Sequence, residues 1–257
     1  MFTHRTPRVV AARRLTTRSG RAEAGRFLVE GAQAVREALQ YGRVHEVFAT
    51  EDAARRHTAL LEHAPSVSLI DRRAAELLSE TVTPQGLVAV CDTVTVDLDT
   101  ALAGAPGLVA VLVGIADPGN AGTVLRVADA AGADAVILAG DGVDVHNGKC
   151  VRASTGSLFH LPVARERDTA AVVAGCARAG LRTVAAHGYA EHDLRTAEGL
   201  DAPTAWLFGN EAHGLPDDVL AAADAAVRVP LYGRAESLNL ATAAAVCLYA
   251  RALRRPS

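Results

Sequence analysis

Hydrophobic and polar positions along the chain fall into two series that break near residue 100. In the first, Phe27-Leu28-Val29-Glu30-Gly31 reads as a short strand, and the spacing of Ala34, Val35, Ala38 and Leu39 predicts a helix over Ala32–Tyr41 that stops at Gly42. A strand at Val44–Ala49, a charged helix at Asp52–His63, a short apolar run at Val67–Ile70, a helix at Arg72–Ser79 and a strand at Gly86–Asp92 follow. Thr93–Gly107 mixes acids, threonine, glycine and proline without a period and reads as a linker. The second series opens with Leu108–Ile115, a nearly unbroken apolar run of the kind a parallel strand covered on both faces requires. Strands at Ala135–Ala139, Leu181–Ala186, Ala205–Phe208 and Ala225–Val229 then alternate with helices at Ala121–Ala131, Ala170–Ala179, Pro216–Ala222 and Leu238–Leu253. Such alternation predicts an α/β fold with a parallel sheet sandwiched by helices. The expected organisation is an arm at 1–26, a small α/β domain at 27–92, a linker at 93–107 and a larger domain at 108–257.

Composition sharpens this picture. With 257 residues, 50% hydrophobic and 21% charged, the chain can bury one large core or two smaller ones, and disorder and collagen are excluded. The net charge of -3 taken alone argues against nucleic acid, but it is unevenly spread. Residues 1–26 hold seven arginines, among them Arg13, Arg14 and Arg18, against the single acid Glu23, a balance of +6 that leaves -9 for the rest. Such an arm is either a solvated tail or a set of phosphate contacts. The four cysteines, at 91, 150, 176 and 247, have no metal or redox spacing, and no signal segment precedes them, so reduced thiols in a cytoplasmic protein are expected. No run spans a membrane: Leu238–Ala250 is too short and is followed by Arg251, Arg254 and Arg255, as in a buried helix with basic residues at its negative end. No metal-ligand cluster is present.

Nucleotide-binding signatures fail one by one. Gly114-Ile115-Ala116-Asp117-Pro118-Gly119-Asn120-Ala121-Gly122 has the wrong glycine register for a dinucleotide fold, Gly148-Lys149 lacks the rest of a phosphate loop, and Ser154 and Ser157 do not make a hydrolase elbow. Three clusters at strand ends remain. Asp117 to Arg126 closes a buried strand and opens a helix with Asn120 as its cap, and Gly122 leaves room beside Arg126 one turn on. Leu207 to Pro216 is a glycine-bracketed loop that carries Glu211 at the carboxyl end of a strand, where open α/β sheets bind ligands. Val229 to Leu240 is a strand end and a turn, followed by a helix headed by Ser237 and Asn239, with Ser237 read as its cap.

In this order, the three segments resemble the SpoU (TrmH-like) family of RNA ribose 2′-O-methyltransferases in the SPOUT superfamily. The resemblance rests on Asn120, Gly122 and Arg126, then Gly209, Glu211, Gly214 and Leu215, then Ser237, Leu238 and Asn239, with Asn147 to Phe159 and Leu161-Pro162-Val163 between them. Phe27 to Gly31, Val44 to Thr50 and Pro84 to Val90 are similar to the small RNA-binding domain of longer members. The resemblance implies a trefoil knot in the C-terminal sheet and a homodimer whose site borrows first-motif residues from the partner. It also implies bent S-adenosyl-L-methionine held by backbone groups against Gly209, Val229 and Leu238. The implied reaction is attack of an RNA ribose 2′-hydroxyl on the sulfonium methyl group. Arg126 then either activates the hydroxyl or orients it through the neighbouring phosphate, while Asn120, Glu211, Ser237 and Asn239 position Arg126, the ribose and the cofactor. Under this reading the arm, through Arg13, Arg14 and Arg18, contacts RNA without a fixed fold of its own, and Lys149 and Arg152 either add phosphate contacts or form surface ion pairs. The expected substrate is ribosomal RNA, most of all that of the large (23S) subunit, and some relatives of this layout confer antibiotic resistance. The alternatives are a transfer-RNA 2′-O-methyltransferase and a catalytically silent ribosome-assembly protein. The silent protein is disfavoured because Arg126, Glu211 and Asn239 are all present.

Overall fold

The computed structural model describes residues 1–254, so Arg255 of the basic C-terminal run lies outside the described residues. Its helices are α1 (Pro7–Arg14), α2 (Arg18–Ala24), α3 (Ala32–Tyr41), α4 (Glu51–Arg56), α5 (Thr58–Leu61), α6 (Arg72–Leu78), α7 (Leu98–Ala101), α8 (Pro118–Ala130), α9 (Gly148–Ser154), α10 (Thr169–Arg178), α11 (Asp217–Ala222) and α12 (Leu240–Ala252). The strands are β1 (Arg26–Glu30), β2 (Val44–Ala49), β3 (Val67–Leu69), β4 (Leu87–Asp92), β5 (Thr95–Val96), β6 (Leu108–Val113), β7 (Ala135–Ala139), β8 (Val163–Glu166), β9 (Arg182–Ala186), β10 (His192–Asp193), β11 (Thr204–Phe208) and β12 (Ala225–Arg228). They form two compact units, Met1–Val94 with Asp144–His160, and Thr95–Val143 with Leu161–Ser257.

The first unit carries a four-stranded sheet in the order β1-β4-β2-β3, antiparallel except for β2 against β3. The arm is part of this unit, which corrects the expectation of a segment without a fold. Pro7 sits in the first turn of α1, where its missing N–H costs nothing, and Val9, Ala12 and Leu15 recur every third residue on one stripe. All three are buried against Leu28, Phe48, Ile70, Ala74, Leu78 and Val88. Thr17 caps α2 by accepting from the Gly20 N–H at 3.1 Å, and Gly25, at φ 61°, ends it in the left-handed conformation.

Arg21 is the second correction to the arm. It is only 4% exposed, donates to Asp144 through Nε (2.9 Å) and contacts it through Nη2 (2.8 Å), and its Nη1 donates to the carbonyls of Leu15 and Thr16. Asp144 in turn belongs to the segment Asp144–His160, which carries α9 into the first unit, so the division at residue 108 is not one continuous cut. The expected helix Asp52–His63 breaks at His57 into α4 and α5.

The second unit is an eight-stranded sheet, β10-β12-β9-β11-β6-β7-β8-β5, parallel throughout. Every residue of β6, β7 and β11 is buried, which is why these strands read as continuous apolar runs rather than alternating ones. The stretch expected as a linker supplies β5, paired with β8, and α7, capped by Asp97 accepting from the Thr100 N–H at 2.7 Å. β6 lies between β11 and β7, so the loops leaving the carboxyl ends of β6 and β11 are neighbours. Helix α12 packs on both α8 and β11.

Candidate active site

The loops after β6 and β11 meet at the position where open parallel sheets bind ligands. Asn210 Nδ2 donates to the Gly114 carbonyl at 2.7 Å, and the N–H groups of Asn210 and Gly214 each donate to the other's carbonyl, at 2.9 and 2.8 Å. Gly209 makes this closure possible: a Cβ there would stand 2.2 Å from the Gly214 carbonyl carbon and 2.3 Å from the Leu215 nitrogen, both backbone atoms. The closed loop presents Glu211 back toward β6. Its carboxylate accepts from the N–H groups of Ala116 (3.3 Å) and Asp117 (3.4 Å) and from Asn120 Nδ2 (3.0 Å).

Asn120 is free to do this because it does not cap α8. The helix begins three residues earlier than expected, with Asp117 as the cap, accepting from the Asn120 N–H at 2.8 Å, and Pro118 in the first turn. Asn120 Oδ1 then accepts from Asn239 Nδ2 at 3.1 Å. Asn239, rather than Ser237, is the cap of α12, its Oδ1 accepting from Ala241 (2.9 Å) and Thr242 (3.4 Å). Every amide in this chain has a forced orientation. Glu211 as a carboxylate only accepts, so Asn120 must give it the amide nitrogen, and the helix N–H groups only donate, so Asn239 must turn its oxygen to them. Three residues from three distant segments thus form one polarised relay. Burial pushes the Glu211 carboxyl upward, but the Asn120 amide and the backbone N–H groups outweigh it, and the group is held below the usual carboxylate range.

Beside the relay lies a cleft of about 640 Å³. Gly209, Val229 and Leu238, expected to hold the cofactor, all line it, as do Asn120, Glu211, Ser237 and Asn239. Ala186 and His187 at the end of β9 line it too, although no motif marked them. Their signal was their place, a strand end followed by Gly188. Arg126 is not brought to this cleft. It is exposed on α8, and its side chain makes no hydrogen bond or ion pair among the described residues. No group of three or more His, Cys, Asp or Glu side chains among the described residues is placed to hold a metal.

On the first unit, Arg13, Arg14 and Arg18 are exposed on α1 and α2, Arg14 in an ion pair with Glu23 at 3.0 Å. Lys149 is exposed on α9. Arg152 is turned inward, its guanidinium 3.5 Å from the buried Glu30 and 4.0 Å from Glu80, so its charge is matched inside the unit.

Residues 107–249 match the SpoU rRNA Methylase family, and residues 6–89 match the MRM3-like substrate binding domain. The chain belongs to the SpoU rRNA methylase family. As a SpoU methylase it is an enzyme that uses S-adenosylmethionine. It is 36% identical to the 23S rRNA (guanosine(2553)-2′-O)-methyltransferase RlmP of Bacillus subtilis over 92% of each chain. To the 23S rRNA (uridine(2479)-2′-O)-methyltransferase of Streptomyces viridochromogenes it is 32% identical, over 97% of this chain and 95% of the relative. The AdoMet-bound rRNA methyltransferase of Sinorhizobium meliloti shares its fold with a TM-score of 0.86 at 31% identity, over 98% and 96% of the two chains. The parallel sheet of the second unit and the small mixed sheet of the first are therefore the architecture of SpoU methylases; the substrate-binding match lies in the first unit, and the methylase match covers most of the second together with the Asp144–His160 segment of the first.

Proposed function

We propose that this SpoU methylase transfers a methyl group to a ribose 2′-hydroxyl of large-subunit ribosomal RNA, acting as a homodimer. The observation that carries the reading is the Glu211–Asn120–Asn239 relay at the rim of a cleft lined by Gly209, Val229 and Leu238. The cleft suits S-adenosylmethionine: the apolar Phe208, Val229, Leu238 and Leu240 line it beside Ser237 and Asn239, and Gly209 lets the Gly214–Leu215 main chain close the loop at its wall, where a Cβ would clash. Bound there, the cofactor supplies an activated methyl group. What remains for the protein is positioning.

Glu211, already engaged by three donors and held ionised, serves as an acceptor that fixes the loop and not as a proton carrier. Asn120 and Asn239 lock the starts of α8 and α12 to that loop, which keeps Ser237 and Leu238 at the cleft wall. Arg126 donates and does not accept hydrogen bonds, so its role is to hold the phosphate beside the reacting ribose. Its place outside its own cleft, exposed and unpaired, fits a site completed by the α8 of a second copy. The exposed Val246 and Tyr249 of α12 and Leu253 just past its end give that copy an apolar surface to cover. A trefoil knot formed by the segments around β11 and β12 belongs to the same reading, as does a cytoplasmic enzyme whose four cysteines stay as buried thiols. RNA affinity would come from the first unit, through Arg13, Arg18 and Lys149. A role in antibiotic resistance is a further form of the same proposal.

The test is methyl transfer from labelled S-adenosylmethionine to total ribosomal RNA, followed by mapping of ribose methylation. Label in large-subunit RNA at an alkali-resistant linkage is expected, and label on a base, or only on transfer RNA, overturns the reading. Mixing the inactive Arg126→Ala and Asn239→Ala variants restores part of the activity if the site is shared between copies, and none if each chain is self-sufficient.

A further inference from the structure

Two of the chain's four tyrosines stand almost wholly in solvent beside the cleft: Tyr189 is 93% exposed and Tyr232 80%. Neither takes part in the relay or the cofactor cleft, yet each adjoins residues that line it, Tyr189 following His187 and Gly188, Tyr232 following Leu231. The two loops are tied together. The His187 N–H donates to the Val227 carbonyl at 3.0 Å, and Arg228 reaches from the end of β12 to the carbonyls of Ala190 and Glu191.

Tyr232 is also backed. The Arg195 guanidinium lies 5.7 Å from its ring centroid, and Arg195 is itself fixed by Asp193, a 3% exposed carboxylate that takes Nε at 3.2 Å and Nη2 at 2.7 Å. A cation held by a buried carboxylate thus covers one face of an aromatic ring and leaves the other to solvent. Arg234, two residues on, is exposed and adds a second positive charge to the same loop. Exposed aromatic faces next to arginines are the chemistry that stacks unpaired bases and holds the adjoining phosphate.

We propose that Tyr232, braced by Arg195, with Tyr189 exposed on the loop tied to its own, is a stacking platform for an unpaired base of the RNA, which sets the target ribose against the cleft. This rests on the reading of the enzyme as an RNA 2′-O-methyltransferase. Tyr232 is a positioning residue, so its contribution falls on RNA and not on the cofactor.

The experiment measures three quantities for wild type, Tyr232→Ala, Tyr232→Phe and Tyr189→Ala: methyl-transfer kinetics on ribosomal RNA fragments, direct RNA binding by filter retention, and S-adenosylmethionine affinity by calorimetry. Because both side chains are exposed, melting temperatures should match wild type. Tyr232→Ala is expected to raise the KM for RNA and weaken RNA binding by about tenfold, the size of one base–aromatic stack. Cofactor affinity should stay within twofold of wild type, Tyr232→Phe should restore RNA binding, and Tyr189→Ala should give a smaller loss. Unchanged RNA binding in Tyr232→Ala, an equal loss in Tyr232→Phe, or a weakened cofactor affinity overturns the platform. A wild-type protein that methylates no RNA overturns the enzymatic reading instead, and the binding arm still decides the platform.

Discussion

The relay of Glu211, Asn120 and Asn239 makes Asn120→Asp a sharp test, because the substitution keeps the shape of the side chain and reverses one interaction. Asn120 Nδ2 lies 3.0 Å from a carboxylate oxygen, so the new side chain places a second carboxylate at that distance. At 3 Å two like charges repel by about 1.4 kcal/mol in the dielectric of water and about 2.8 at half of it, and the exposed position of Glu211 keeps the value in that range. This equals roughly one to two pKa units, so the pair should take up a shared proton about one to two units above the ordinary carboxylate range. In the wild type Glu211 is held below its ordinary value. Its contribution to stability is therefore complete above that value and is lost as the pH falls through the lowered one. In the variant the sign reverses: the repulsion is absent at acid pH and sets in as the pH rises through the raised value. Melting followed at low salt from about pH 7 down to about pH 5 should show the variant gaining roughly 2–4 °C for each kcal/mol of repulsion relieved, while the wild type stays level across that window and falls only below it. Asn120→Ala loses the hydrogen bonds without the reversal and serves as the control. A variant profile that runs parallel to the wild type would refute the assignment of the amide and the relay with it.

Other substitutions test other parts. Arg21→Met strands the Asp144 carboxylate and should cost the first unit about 3–5 kcal/mol in urea unfolding; a loss below about 1 kcal/mol would mean that the pair is not structural. Burial pushes Asp144 upward, but hydrogen bonds from His146 and Arg21 pull it below the usual carboxylate range, so wild-type stability should decline as the pH drops beneath that range and Arg21→Met should flatten the decline. Gly209→Ala drives a Cβ into the Gly214–Leu215 backbone; calorimetry should show at least tenfold weaker cofactor binding with the sheet retained, and normal binding would mean that the loop closure is unimportant. The pair Arg13→Glu with Arg18→Glu should weaken RNA binding and lower the slope of its salt dependence by about two, with an unchanged slope placing the RNA elsewhere. Deletion of residues 1–26 should unfold the first unit, since Val9, Ala12 and Leu15 leave its core.

The second unit was legible because its strands are buried on both faces. β6 and β7 carry nothing but apolar residues, so they appear as runs whatever the context, and the alternation with helices then dictates a parallel sheet. The arm was misread for the opposite reason. Arginine is so dense there that charge hid a stripe of only three apolar residues, Val9, Ala12 and Leu15, and no local feature says that Arg21 will find Asp144 more than a hundred positions away. That same partner explains why α9 joins the first unit. A boundary drawn from periodicity cannot see a contact made between segments so far apart.

Asn120, Gly209, Glu211, Ser237, Leu238 and Asn239, expected from the sequence, come together at the candidate site and Arg126 does not, and the geometry that joins them was not legible. Asn120 and Ser237 both have residue types that suit a helix cap, and both lose that position to a neighbour. Asp117 followed by Pro118 forms a stronger start than Asn120 can, since proline fits the first turn and the aspartate accepts the N–H three residues on. At α12 the contest went to Asn239, whose amide caps the helix through its oxygen and still has a nitrogen to give; a serine in that place has one hydroxyl for both tasks. Losing the cap is what allows Asn120 to join Glu211, and holding the cap is what orients Asn239 toward Asn120. The relay is thus a consequence of where two helices begin, and a shift of either start by a single turn would take its residue out of reach of the other.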